Sequence, residues 1–366
     1  SNSTQNKYLI VFYIDGSLIG NDVVGASFNG NISADAHQGK VPVNAVELIT
    51  DLYINAPKTT TALNNITYNL ASSVGLMNDR KGSMSTGIDA GNIRYYGASP
   101  NNYIYFNCSD YSNQTSSTCE TWRIIGVFDG KVKIMRNEII GRYSWDSSTS
   151  DIDSGRGVNE WSQADLMKLL NSGYDSESVG GSLYWNAKSG TCYNNKNNAT
   201  KSCNFTSTGL KNDTTRNMIA ETTYYTRGHN SLSIFVDAMY DKERVSGTVY
   251  SDHSTSWTGK VAIPYPSDYG YAADLSLCQQ NFYGYDNSTC TANNWMKNIL
   301  GTNDMGFLLT PVSHIVGNVW SVYSSGHVDG QYTSYSSGVA PVLSLISELD
   351  IGPGTCTSSS PYQLSV

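Results

Sequence analysis

"ETWRIIGVFDGKVKIMR", residues 120–136, decides the fold class. Asp129-Gly130 tolerates the positive φ of a tight hairpin turn, so the residues on either side read as two antiparallel strands. In "WRIIGVF" (122–128) both faces are apolar, which places that strand in the middle of a sheet with cover on both sides. "KVKIM" (131–135) alternates instead: Val132 and Ile134 are expected to point inward, Lys131 and Lys133 outward.

Working outward, "NIRYYG" and "NYIYF" (92–97, 102–106) add strands before this hairpin. "GFLLTPV", "VWSVYS" and "VAPVLSLI" (306–346) add strands toward the C-terminus. Helices are fewer. Residues 41–56 turn helical from about Asn44, with Val46, Ile49 and Tyr53 on one face. "NEWSQADLMKLLNSG" (159–173) reads as an amphipathic helix capped by Asn159 or Ser162 and ended by Gly173. "LKNDTTRNMIAETTYY" (210–225) reads as another, with Met218 and Ile219 toward the core, and "NWMKNIL" as a helical turn. "WTGKVAIPYPSDYGYA" (257–272) is a short strand broken by Pro264 and Pro266, with Asp268 hydrogen-bonding locally. Residues 57–91 carry no clear period and read as a connector. The expected organisation is a β-rich N-terminal segment (1–45, with turn pairs Asp15-Gly16 and Asn29-Gly30), a helix and connector (46–91), and a larger domain (92–366). The fold class is α+β.

Composition narrows the function. Charged residues are 15%, against roughly 25% in typical soluble domains. Tyr (26) and Gly (33) are abundant. The net charge is −8 with pI near 5.1, and no Lys/Arg cluster exists to track phosphates, so nucleic acid is not an expected partner. No run of apolar residues is long enough to span a membrane. The opening "SNSTQ" reads as the start of a mature or trimmed chain. There are seven cysteines. Cys108 and Cys119, Cys192 and Cys203, and Cys278 and Cys290 each bracket a short polar loop, the pattern of sequential disulfides formed outside the cytoplasm. Cys356 is left over, either free or pairing between molecules. Asn-x-Ser/Thr triplets stand at Asn31, Asn65, Asn107, Asn113, Asn198, Asn204, Asn212 and Asn287; many arise by chance in an Asn/Ser/Thr-rich chain, and glycosylation is the lesser reading.

From about Asn92 onward the chain resembles C-type-lectin-like domains of the branch related to formylglycine-generating enzymes, and more narrowly a group of bacterial surface proteins. The resemblance rests, in order, on "NIRYYGASPNNYIYFNC", "CETWRIIGVFDGKVKIMRNEIIGRYSWD", "NEWSQADLMKLLN", "STGLKNDTTRNMI", "WTGKVAIPYPSDYGYA" and "GVAPVLSL…GPGTCTSSSPYQL". It departs from the family at Ala340, where an Arg is usual before the Pro, and at Cys356. Residues 1–45 are weakly similar to the β part of pilin-like proteins. The resemblance implies a fold of two helices, short antiparallel strands and long disulfide-stapled loops, with the C-terminal strands and loops as an exposed ligand face.

That face coincides with "NVWSVYSSGHVDGQYTSYSSGVAPVLSL" (318–345), aromatic residues set among Ser and Gly as in antibody loops. The candidate ligand-binding residues are His314, Trp320, Tyr323, His327, Asp329, Tyr332 and Tyr335; the alternative is plain strand alternation. No Glu-Pro-Asn or Gln-Pro-Asp calcium motif, P-loop or dinucleotide glycine motif occurs, and the histidines are scattered. Asp151, Asp153 and Glu160, the nearest carboxylate grouping, read as a solvated loop. No catalytic residue, metal or cofactor is therefore expected. The expected function is an extracellular, adhesin-like surface protein that binds a protein or glycan on another cell or surface. The alternative is a filament or pilus subunit that self-assembles through residues 8–14, a strand that needs covering.

Overall fold

The computed structural model describes residues 43–82, 91–146, 157–171, 182–185, 190–195, 198–203, 205–302 and 304–365. The expected N-terminal hairpins, the self-assembly strand 8–14, Asp151, Asp153 and Gly173 lie outside them. The fold is α+β, mostly sheet with short helices, and no helix among the described residues is long and apolar enough to cross a membrane.

The hairpin at 120–136 forms as its sequence dictates, Glu120–Phe128 pairing with Lys131–Arg136 around Asp129 (φ 47°) and Gly130 (φ 70°). It lies inside an eight-stranded sheet, one strand in from an edge. In order, the strands are Val342–Ser344, Lys131–Arg136, Glu120–Phe128, Ile93–Tyr95, Leu76–Asn78, Ile66–Ala71 and Thr59–Leu63, with Tyr103–Phe106 also pairing onto Glu120–Phe128. The register slips between Ile124 and Gly126. That bulge keeps Trp122, Ile124 and Val127 in one apolar cluster and puts Ile125 in the other. Only glycine fits at 126, because an added Cβ would lie 2.0 Å from the Ile93 carbonyl oxygen.

Helix Ala45–Asn55 begins where expected, capped by Asn44, whose Oδ1 accepts from Val46 (3.0 Å) and Glu47 (3.3 Å). It lays Ile49 and Tyr53 on the Trp122/Ile124 face. The residues read as a connector supply three strands of the sheet, so the boundary expected at residue 92 runs through one packing unit. The helix expected over 210–225 is confined to Asp213–Asn217 and followed by the strand Thr222–Tyr225, though Met218 and Ile219 are buried. The helix expected at 159–173 is a 3-10 turn, Trp161–Gln163, and a short helix, Asp165–Leu170. Neither Asn159 nor Ser162 caps it. Asn159 Nδ2 donates to the carbonyls of Ile315 (3.0 Å) and Asn318 (2.7 Å) instead, and Glu160 accepts from the Ser162 amide.

A five-stranded sheet runs Val328–Tyr332, Asn318–Tyr323, Met305–Pro311, Ser337–Gly338, Arg142–Tyr143. Both its faces are covered. Phe307, Leu309 and Val319 pack with Trp145, Trp161 and Leu169, while Leu308, Trp320 and Val322 join the core under the larger sheet. Among the described residues two disulfides are formed, Cys108–Cys119 and Cys278–Cys290. The backbones of Gly190–Asn195 and Asn198–Cys203 pair as a hairpin, and the side chains of Cys192 and Cys203 lie outside the described part. Cys356 is free and buried, its thiol pushed up by burial, so it is not available to pair with another molecule.

One reading of the opening stretch is overturned. Lys133 does not face water. It is buried, and its ammonium bonds the equally buried Asp268 on helix Pro266–Tyr271. Asp268 does bond locally, accepting from the Tyr265 amide (3.0 Å), but its other oxygen accepts from Arg94 Nη1 (3.0 Å). Arg94 Nε reaches Asp79 (2.5 Å), whose carboxylate also takes the Asn92 amide (2.9 Å). Burial alone would raise the Asp268 carboxyl; Lys133, Arg94 and Arg244 more than offset it and hold it well below the usual carboxylate range. Removing the hub leaves two buried cations short of a partner, so Asp268→Ala is expected to cost about 3–5 kcal/mol in a urea melt, far beyond a surface Asp→Ala.

Candidate functional site

The hairpin of Asn318–Tyr323 and Val328–Tyr332 is in register from Asn318–Tyr332 to Val322–Val328, closed by the Tyr323 amide on the His327 carbonyl (2.8 Å). Gly326 turns at φ 89°. Alternation then sorts the side chains. Trp320 and Val322 point into the core, where Trp320 is 1% exposed and its Nε1 donates to the His229 carbonyl (2.9 Å). Trp320 is thus an anchor and not a displayed residue, a correction to the candidate set. Its place in an alternating strand was the signal for this.

The opposite face is itself buried at Val319 and Ser321, and the polar members lie where it opens, at the turn and along the edge strand. Gln331 Nε2 donates to the Tyr323 hydroxyl (3.0 Å), the Tyr323 and His327 rings are 6.0 Å apart, and His327 Nε2 lies 3.7 Å from Asp329 Oδ2. Burial, then the Asp329 charge, raises the Tyr323 phenol, so it stays a neutral donor and acceptor. At the far end of the strand pair, Tyr332 and Tyr335 meet edge to face at 5.3 Å, and Tyr335 is 50% exposed. The structure therefore brings together Tyr323, His327 and Asp329, adds Gln331, and pairs Tyr332 with Tyr335. His314 stands apart from both groups: it is exposed at φ 64° on the preceding turn, with Nε2 3.4 Å from Thr248 Oγ1.

The loop carrying Tyr335 is strapped from beneath. The Trp145 and Asp146 amides both donate to the Thr333 carbonyl (2.8 and 3.1 Å), Ser144 Oγ to the Ser334 carbonyl (3.0 Å) and Arg142 Nη2 to the Ser336 carbonyl (2.6 Å). Behind this strap Asp146 is hydrogen-bonded to Asp165, both carboxyls buried, and burial followed by the Asp165 charge pushes Asp146 up to about 7. Sequence reasoning passed over this pair because its members sit in separate elements with no shared motif.

A phenol, a carboxylate, an imidazole and an amide around the turn and edge strand offer stacking and hydrogen bonds in both directions. Among the described residues, no group of three His, Cys, Asp or Glu is placed to hold a metal ion. Glu160 does not lie in a solvated loop as expected: it is buried against His253 (3.1 Å), and the two also bond the backbone at Ser254 and Asn159, so they act as a clasp between segments. No family model, curated protein or solved structure matches the chain.

Two outcomes follow. Trp320→Ala should cost about 3–5 kcal/mol, as for large aromatic residues removed from a core, whereas Tyr335→Ala should stay within about 0.5 kcal/mol; denaturant melts separate them. For Asp146 the folded pKa lies above the unfolded one, so the native state binds the extra proton and stability falls as pH rises from about 4 to 7. Asp146→Asn, permanently neutral, should flatten that slope in melts taken between pH 4 and 8.

Proposed function

We propose that the protein is an extracellular, non-enzymatic binding protein of adhesin type, built on a C-type-lectin-like fold, and that its ligand docks on the exposed turn, edge strand and loop of residues 323–336. The observation that carries this reading is the division of labour along one strand pair. Trp320 and Val322 are locked in one core and Val319 in another, while Tyr323, His327, Asp329 and Gln331 gather at the turn and along the edge strand and Tyr335 stands out at the far end. Tyrosines fixed this way give broad contact area at little cost in ordering on binding. The two disulfides fit an oxidising, extracytoplasmic compartment.

The test is a screen of the purified chain against arrays of glycans and of immobilised secreted proteins, repeated with Tyr323→Ala/Tyr335→Ala. A hit that weakens at least about tenfold in the variant, as for aromatic hot-spot residues, with an unchanged melt, supports the reading. Hits that bind the variant equally well place the ligand elsewhere and overturn it.

A further inference from the structure

A separate cavity of about 290 Å³ opens beside the buried ionic cluster. Its walls come from the turn of the 120–136 hairpin (Phe128, Asp129, Lys131, Lys133), the strand Thr222–Tyr225, and Tyr240, Arg244, Tyr265 and Ser344. Arg244 sits on a π-helical turn, Lys242–Ser246, a local distortion frequent at functional sites. Its guanidinium is sandwiched between Tyr240 (3.8 Å) and Tyr265 (4.3 Å).

The cavity floor has more donors than the protein satisfies. Lys133 gives one hydrogen bond, to Asp268. Arg244 uses only Nη1, toward Glu243 and Ser267 (3.4 Å), and its Nε and Nη2 groups meet no acceptor among the described residues. The buried cations Arg94, Lys133 and Arg244 are matched one to one by Asp79, Asp268 and Glu243, so the cluster has hydrogen-bond donors to spare and no excess charge, which disfavours a phosphate dianion. The rim is different: Asp129, Glu221, Thr223 and Tyr225 are exposed around the opening, offering acceptors for hydroxyls and a ring face. A small carboxylate alone would leave most of that wall unused.

We infer that this cavity binds a carboxylate-bearing sugar unit, its carboxylate against Lys133 and Arg244, its hydroxyls toward Asp129 and Glu221, and its ring against Tyr225. The titration of Lys133 agrees with that geometry. Burial, with the Arg244 and Arg94 charges, draws its amine down to about 8 against the pull of Asp268. Around it lie Arg94, Arg244, Asp268, Tyr265 and Phe128, with Glu243 beside Arg244 and Asp79 beside Arg94. A bound carboxylate restores its charge, so affinity should fall as pH rises through about 8.

The experiment is titration of the full chain with D-glucuronate and N-acetylneuraminate, with D-glucose and inorganic phosphate as controls, by isothermal calorimetry and saturation-transfer NMR. Saturable binding of one or both acids is expected, at least about tenfold tighter than glucose or phosphate, since buried charge-assisted bonds carry the discrimination. Tyr225→Ala, on the exposed rim, should weaken it about tenfold, a loss on the scale of one stacked ring. Arg244→Lys should weaken it further, because it keeps the charge and loses the fork. Absence of saturable binding, equal binding of glucose or phosphate, or affinity unchanged in both variants would overturn the assignment. Tyr323→Ala/Tyr335→Ala should leave acid binding intact, which separates this site from the hairpin face.

Discussion

The structure depends on a carboxylate with no access to water. Asp268 joins helix Pro266–Tyr271 to two strands of the large sheet through Arg94 and Lys133, and each of the three is costly to bury alone. Such a cluster tolerates few arrangements, since every donor needs its acceptor in place. It therefore specifies where the helix sits more sharply than apolar packing does. The rings of Phe128 and Tyr271, 4.5 and 4.7 Å from the Arg94 guanidinium, close it off from solvent.

Position is then passed outward through packing. Helix Pro266–Tyr271 shares one apolar cluster with Trp320, Val322 and Val328, so the core that covers the central sheet also holds the inner side of the 318–332 hairpin. The chain itself links the two sheets, since Val342–Ser344 edges the larger one shortly after Ser337–Gly338 pairs into the smaller, with Ala340 buried between. The turn and edge strand of the hairpin, Tyr323 to Gln331, are thus held in place by a two-sided core.

Local signals were legible in the sequence. Asn44 ahead of an apolar-periodic run, Asp129-Gly130 between strands, and the polar loops bracketed by Cys108/Cys119 and Cys278/Cys290 each work within a few residues, and each appears in the structure. What escaped is non-local. Lys133 alternates correctly with Val132 and Ile134, but alternation defines "outward" relative to one core only, and the second cover comes from a helix far along the chain. A charge inside an otherwise apolar strand, at Arg94 as well as Lys133, was the available hint. The three strands of 59–78 escaped because Thr and Asn dilute their period. In the candidate site the same logic applies: the hairpin was identifiable, but which of its aromatic residues faced the core depended on a sheet whose two faces are both covered.

The most direct test of this account is native-state hydrogen exchange across the two hairpins. If one core holds both, the amides of Trp320 and Val322 should exchange with the same free energy as those of Ile124 and Ile134, near that of global unfolding. Exchange of the 318–332 hairpin through a local opening several kcal/mol cheaper than global unfolding would contradict it, because the face would then be a mobile flap and not a surface fixed by the core.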